Sequence, residues 1–184
     1  MKQFYLIGKS TGTSLSPAIH NWIFNTFNIN AKYKKKDIDS SNFEMEISNM
    51  LVNIKSSLIN GINVTNPYKI AIISSDIQLS KDAQRINAVN CVYKHNKLLI
   101  GDNTDWIGFI KSIDDSKINL KNYNIKIIGA GGAARAIIYG LQKLNIKNFK
   151  IYNRNQTSFT INKTEYITSD LEELNSSLLE DAFL

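Results

Sequence analysis

With 184 residues, a formal net charge of +6 and one cysteine, Cys91, the chain has length for one large domain or two small ones, and no means of forming an internal disulfide or a cysteine-built zinc cluster. Hydrophobic residues at 43% and charged residues at 21% are the proportions of a globular protein, which excludes disorder, and no apolar run approaches the roughly 18 residues of a membrane span. The first strand-like stretch is also too short for a signal peptide, so a reducing cytoplasm is the expected location, with Cys91 a small buried hydrophobe. The excess charge sits early, twelve basic against seven acidic residues up to position 104 and ten against nine beyond it. Much of it is the lysine run at 32–36, which reads as the solvated face of a strand. Without interleaved aromatics it predicts no nucleic-acid partner.

Apolar periodicity alternates between strand and helix from the start. Residues 4–8 read as a strand, 16–28 as a helix with Ser16 as N-cap and Pro17 in its first turn, 31–38 as a strand, 41–52 as a helix and 61–65 as a strand. Short helices near 67–75 and 79–86 follow, then a hairpin from 88–93 to 97–101 around His95–Asn96. A helix over 106–113 is capped by Thr104 or Asp105. The polar stretch after it leads into a second strand–turn–helix–strand run over 124–155. The alternation predicts an α/β fold of two open, mostly parallel domains, with the boundary near 102–120 and the division drawn at 1–104 and 105–184.

In the second run, residues 129–134 read GAGGAA, directly after a strand and directly before a helix. Gly129 allows a tight turn, Gly131 lets backbone amides approach a pyrophosphate, and Ala134 is small enough for close helix–strand packing. The helix N-terminus supplies an anion site. The next strand ends at Asn153–Arg154, where an NAD site usually carries an acidic residue. A guanidinium there pairs with a 2′-phosphate instead, so NADP is the expected cofactor.

Three polar fragments cluster at predicted strand ends or helix starts, at 10–20, 88–91 and 101–105, beside the stretch GINVTNPYK at 61–69. Open α/β sheets gather ligand groups at such places. Lys69 and Asp105 are the acid/base candidates among them. An ammonium beside a carboxylate can hydrogen-bond an alcohol or ketone oxygen while hydride leaves or arrives, which predicts a dehydrogenase site. His20, the last residue of the first fragment, reads as a packed helix residue and His95 as a turn residue, and neither takes a role.

With these residues the chain strongly resembles the shikimate dehydrogenase family. Four motifs agree in order and spacing: Ser14-Leu15-Ser16-Pro17; Asn63-Val64-Thr65 with Pro67 and Lys69; Ala88-Val89-Asn90; and Gly101 through Asp105. The resemblance implies a substrate domain followed by a Rossmann-type NADP-binding domain, and NADP-dependent reduction of 3-dehydroshikimate to shikimate. It implies that Ser14, Ser16 and Thr65 bind substrate, that Asn90 and Asp105 bind ring hydroxyls, and that Lys69 with Asp105 is the catalytic pair. Gly129, Ala130, Gly131, Gly132, Ala133, Asn153 and Arg154 fall on the cofactor positions. No metal is implied, and the protein is expected as a monomer or homodimer without a membrane partner.

The sequence departs from the family pattern at Asn87, where a glycine usually precedes the Ala-Val-Asn motif, at Asn155, where a threonine commonly follows, and near Ser158, where a second basic residue often stands. Two rival readings are a quinate/shikimate dehydrogenase using NAD and a non-catalytic binding protein on the same fold. The presence of both Lys69 and Asp105 speaks against the second. A complete dinucleotide-binding sheet needs two strand–helix–strand halves, and the last residues read as a strand just starting. The expectation is therefore a C-terminally incomplete chain, inactive by itself, without the family's later glutamine and tyrosine substrate contacts.

Overall fold

The computed structural model describes residues 1–74 and 76–174, so the strand expected at the final residues lies outside the described part. The chain divides into two compact units. One is built from Met1–Ala83 and Val89–Asp102, the other from Gln84–Ala88 and the chain from Asn103 onward.

In the first unit, β1 (Lys2–Gly8), β2 (Ala31–Asp37), β3 (Gly61–Val64), β4 (Gln78–Leu79), β5 (Cys91–His95) and β6 (Leu98–Asp102) form one sheet in the order β2-β1-β3-β5-β6-β4. The β1 pairings with β2 and β3 are parallel, and β5 runs antiparallel to both β3 and β6. The β5–β6 hairpin turns over Asn96–Lys97, and Asn96 takes the left-handed φ of 56° that asparagine tolerates. Helix α2 (Phe43–Lys55) buries Phe43, Ile47, Met50, Leu51 and Ile54 in one core with Ile7, Ile62, Val64, Val92 and Leu99. Acidic Glu44 and Glu46 in its first turn and Lys55 in its last suit the helix dipole.

β2 is an edge strand, and two devices protect it. Lysines line it, and the Asn21 side chain from α1 (Ser16–Thr26) receives the Tyr33 N–H and donates to the Tyr33 carbonyl, both at 2.9 Å. The lysine run is therefore a solvated edge with Tyr33 as its buried residue.

Three expectations are corrected here. Ser16 does not cap α1: the N-cap position is Leu15, Ser16 is the first helical residue, and its N–H donates to Ser14 Oγ at 3.2 Å. The helix expected over 67–75 is one turn, α3 (Tyr68–Ala71), and the one expected from 79 starts at Lys81 as α4 (Lys81–Ile86) because Gln78–Leu79 pair with β6. Helix α5 (Asp105–Asp115) has Thr104 at its N-cap position, where its side chain makes no capping hydrogen bond, and Asp105 one position inside. The oxygen that receives the Asp105 N–H belongs to Asn103, at 3.1 Å.

The second unit contains β7 (Ile125–Ile128), α6 (Gly132–Lys143), β8 (Phe149–Asn153) and β11 (Ser169–Asp170), the strands forming a parallel sheet in the order β11-β8-β7. This is the order of one half of a doubly wound sheet. α6 buries Ala134, Ala136, Ile138, Tyr139 and Leu141, and Gly140 lets α5 come close, since a Cβ there would stand 2.8 Å from the Phe109 ring. The connection from β8 to β11 carries no helix. It is an antiparallel hairpin, β9 (Ser158–Ile161) and β10 (Thr164–Ile167), turning at Asn162 and Lys163 with φ of 47° and 69°. The hairpin packs on α6 through Phe159 beneath the Arg135 guanidinium and Tyr166 Oη, which accepts from Gln142 Nε2 at 2.8 Å.

The one-turn helix α3 depends on Tyr68, whose ring stacks on Phe43 at 4.2 Å and whose buried hydroxyl donates to the Ile38 carbonyl at 2.6 Å. Tyr68→Phe keeps the ring and leaves that carbonyl short of a donor, an expected cost of about 1–2 kcal/mol. A denaturant midpoint equal to that of the parent protein would show the bond to be dispensable.

Candidate active site

The C-terminal ends of the parallel strands β1 and β3 and the N-terminal end of β5 lie at the same end of the first unit's sheet, as their registers require. From this end come the loop 9–15, Thr65, α3 and Asn90. Backbone bonds tie them together. The Val89 N–H donates to the Lys69 carbonyl at 2.7 Å, the Val64 N–H to the Asn90 carbonyl at 2.7 Å, and the Asn90 N–H to the Asp102 carbonyl at 2.9 Å. Val89 is wholly buried and Asn90 is buried. The three motifs read separately along the sequence thus share one hydrogen-bonded junction, with Thr65 and Lys69 half-buried beside it.

Ser14 and Ser16 stand on the loop and at the start of α1, both half-buried, with Ser14 Oγ donating to Ser16 Oγ at 3.1 Å. Since Ser16 Oγ is not spent on a cap, both hydroxyls are placed as a pair. Gly8 explains how the loop approaches Thr65: a Cβ on Gly8 would lie 2.5 Å from Thr65 Cγ2, 3.2 Å from the Asn66 carbonyl oxygen and 3.2 Å from Thr11 Cγ2. Asn87 has φ of 56°, the left-handed conformation that glycine adopts freely and asparagine tolerates.

Sequence reasoning passed over several residues that build this site. Asn63 accepts from the Tyr33 hydroxyl at 2.8 Å and donates to the Asn90 carbonyl at 3.3 Å, so the asparagine at the start of its motif braces the junction. Burial pushes the Tyr33 hydroxyl up to about 12, so it stays a donor. Tyr68 carries α3, and Thr11 and Asp37 fasten the serine loop. Asn103, almost fully buried, donates to the Ala88 carbonyl at 3.0 Å while receiving the Asp105 N–H, which fixes the start of α5 in the second unit. Nothing local in the sequence marks these pairings, whose partners are as many as 30 residues apart.

In the second unit, Gly129 has φ of +102°, which only glycine adopts without strain, and its N–H donates to the Tyr152 carbonyl at 2.7 Å. A Cβ at Gly129 or Gly131 would meet no protein atom within 4 Å, so the space above the turn is open. α6 starts at Gly132 with Gly131 as an N-cap that offers no side chain, leaving its first amides to an incoming anion. Ala130 and Ala133 complete the turn without bulk. Asn153 folds its amide onto the Asn155 carbonyl at 3.0 Å, and Arg154 beside it is exposed, with no hydrogen bond or ion pair among the described residues. Positive φ at Gly129, open space, an uncapped helix start and an unpaired guanidinium are the features a phosphorylated dinucleotide requires.

A sheet that presents hydroxyls, an amide and a lysine at one end, followed in the same chain by a dinucleotide-type strand–turn–helix unit, defines the two-unit α/β class of dehydrogenases. Residues 6–92 match the family described as shikimate dehydrogenase substrate binding domain. Curated shikimate dehydrogenases (NADP(+)) from Caldicellulosiruptor saccharolyticus and Pelagibacter ubique are each 40% identical, over 84% and 85% of this chain and 54% and 57% of their own length. The chain spans about half the length of these relatives. Among solved structures, shikimate dehydrogenase 1 from Peptoclostridium difficile superposes with a TM-score of 0.82 and 32% identity, over 94% of this chain and 63% of that one. The Thermus thermophilus shikimate 5-dehydrogenase complex with NADP(H) and shikimate gives 0.73 and 31%, over 84% and 57%. Residues 6–92 thus belong to the shikimate dehydrogenase substrate binding domain family, and the chain over most of its length is similar to shikimate dehydrogenases.

Gly8→Ala tests the close approach at the site. Forcing Thr65 or the loop aside is expected to cost about 1–3 kcal/mol, as overpacking does. Because the displaced groups are site residues, shikimate binding should weaken along with the melting temperature. Unchanged values for both would mean that the loop yields freely.

Proposed function

We propose that the protein catalyses the reversible NADPH-dependent reduction of 3-dehydroshikimate to shikimate, on the route to chorismate and the aromatic amino acids. The observation that carries this reading is the gathering of Ser14, Ser16, Thr65, Lys69 and Asn90 at one end of the first sheet, with the two serine hydroxyls hydrogen-bonded to each other. The shikimate dehydrogenases named above, one of them in complex with NADP(H) and shikimate, support it. A location in the cytoplasm, action as a monomer or homodimer, and the absence of nucleic-acid and membrane partners are parts of the same proposal. Among the described residues no helix is long and apolar enough to cross a membrane.

Each side chain has a task that follows from its chemistry. The Ser14 and Ser16 hydroxyls donate to the substrate carboxylate, which carries the same charge in ground and transition states, so they serve binding. Thr65, Asn90 and Asp105 receive or donate hydrogen bonds at the ring hydroxyls. Gly129, Ala130, Gly131, Gly132 and Ala133 hold the cofactor's pyrophosphate, and Asn153 with Arg154 holds its ribose phosphate. Bound there, NADPH supplies the hydride. Lys69, with Asp105 as its catalytic partner, gives an ammonium proton to the ketone oxygen as the carbonyl carbon is reduced, and in the reverse direction the neutral amine takes the alcohol proton. The two serines are binders, so their loss should be felt in affinity, whereas loss of Lys69 should be felt in the rate.

In a protein that spans the full length of the relatives, Lys69→Ala is accordingly expected to lower turnover by about 10²–10⁴-fold with little change in KM for shikimate. A steady-state assay of shikimate-dependent NADP reduction checks this, and a near-normal rate would end the assignment. Arg154→Ala should weaken NADP by about 10- to 150-fold, the loss of one charge-assisted contact, and leave NAD almost unchanged. Titration of both cofactors reads the difference. Equal losses would make Arg154 a structural residue, and an initial preference for NAD with quinate turnover would favour the quinate/shikimate type.

A further inference from the structure

β2 ends opposite the point where β1 gives way to the serine loop. The parallel register pairs Asp37 with Gly8, the last residue of β1, and the Ile38 N–H donates to the Gly8 carbonyl at 2.8 Å. From there the Asp37 carboxylate reaches the loop itself. Its Oδ1 receives both the Thr11 N–H at 2.8 Å and the Thr11 hydroxyl at 2.5 Å. Thr11 is almost fully buried, so its donors have little water to turn to if the carboxylate is lost. These bonds, with Lys35 nearby, hold the Asp37 carboxyl below the usual carboxylate range, so it stays an anion at neutral pH.

The chain of bonds continues to the substrate serines. The Thr11 carbonyl receives the Ser14 N–H at 3.0 Å, Ser14 Oγ receives the Ser16 N–H at 3.2 Å, and Ser14 Oγ donates to Ser16 Oγ at 3.1 Å. A second tie lies beside the first: Lys35, two residues before Asp37 on the same face of β2, donates to the Gly12 carbonyl at 2.6 Å. The loop between Gly8 and Ser14 is thus held at Thr11 and Gly12 by alternate residues of a neighbouring strand.

We propose that Asp37 is a positioning residue for the substrate carboxylate, acting through Thr11 to set the Ser14 hydroxyl, with Lys35 as a weaker second tie. The inference rests on the reading that Ser14 and Ser16 hold that carboxylate. Binding groups work only when held to within about 0.5 Å, and the seven-residue loop 9–15 is held at Thr11 by Asp37 and at Gly12 by Lys35. Acting through Thr11, Asp37 serves affinity and not the proton transfer.

The test is a double-mutant cycle on shikimate affinity and turnover. Asp37→Ala should weaken shikimate binding by about 10-fold, with turnover changed by less than about twofold, and Asp37→Asn, which keeps an acceptor, should recover part of the loss. In a Ser14→Ala background, where the hydroxyl being positioned is gone, Asp37→Ala should cost less than about twofold more. Thr11→Val, which keeps the side-chain shape and removes the hydroxyl, should move in the same direction as Asp37→Ala. Hydrogen exchange at the Ser14 amide should quicken in Asp37→Ala without any ligand present. Parent-like affinity in Asp37→Ala, or losses that simply add in the double variant, would overturn the positioning role. Failure of the parent protein to bind shikimate would instead overturn the proposed function, and it would be seen before any variant is made.

Discussion

The site in the first unit depends on one buried pair of residues, Val89 and Asn90. Their backbone groups satisfy three different elements at once: the carbonyl of Lys69, the N–H of Val64 and the carbonyl of Asp102. A buried backbone group without a partner is costly, so each of these bonds fixes a position and not merely a contact. The lysine therefore sits on a single helical turn whose location is set from outside the turn. That arrangement suits a proton donor, since one isolated turn has almost no stability of its own. The side chains that complete the junction, Asn63 and Tyr68, each donate to a backbone carbonyl, of Asn90 and of Ile38.

The alternation of strand and helix was readable because parallel strands and amphipathic helices have different apolar periods, and the observed sheets follow it through β3 and again through β8. What local patterns did not reveal has a common physical cause. Ser16 precedes a proline and an apolar run, which is the pattern of an N-cap, but the hydroxyl that receives the helix-start amide is on Ser14. Asn103 looks like a spacer between two acidic residues, yet its side chain links a carbonyl 15 positions away to the first amide of α5. Thr11 and Asp37 are 26 positions apart. Choices of this kind are made by tertiary packing, after the elements exist. The residues proposed to carry chemistry form short motifs, which a sequence displays, whereas those that hold them in place are scattered along it.

The glycine turn shows the opposite balance. Its geometry is local, a strand leading directly through a left-handed glycine into a helix, so sequence alone indicated where the amides would be free. Asn87 belongs to the same category. Asparagine is one of few residues that bear a positive φ at small cost, and the turn before Ala88 uses that conformation.

The connection between β8 and β11 departs furthest from expectation, and it bears on cofactor recognition. Parallel neighbours in a doubly wound sheet are usually joined through a helix, whose N-terminus would add partial positive charge near the loop that follows β8. Here the chain leaves β8 through Arg154 and enters the strand β9, so no helix dipole is available and Ser158 adds no charge. The hairpin covers α6 as a helix would, through Phe159, Ile161 and Tyr166, so the hydrophobic requirement of the sheet is met. The electrostatic one falls on a single side chain. Across residues 153–162 the only charged group is Arg154, exposed and unpaired among the described residues. Within residues 153–162, charge-based recognition of a 2′-phosphate would fall on the Arg154 guanidinium, with neutral hydrogen-bond donors beside it.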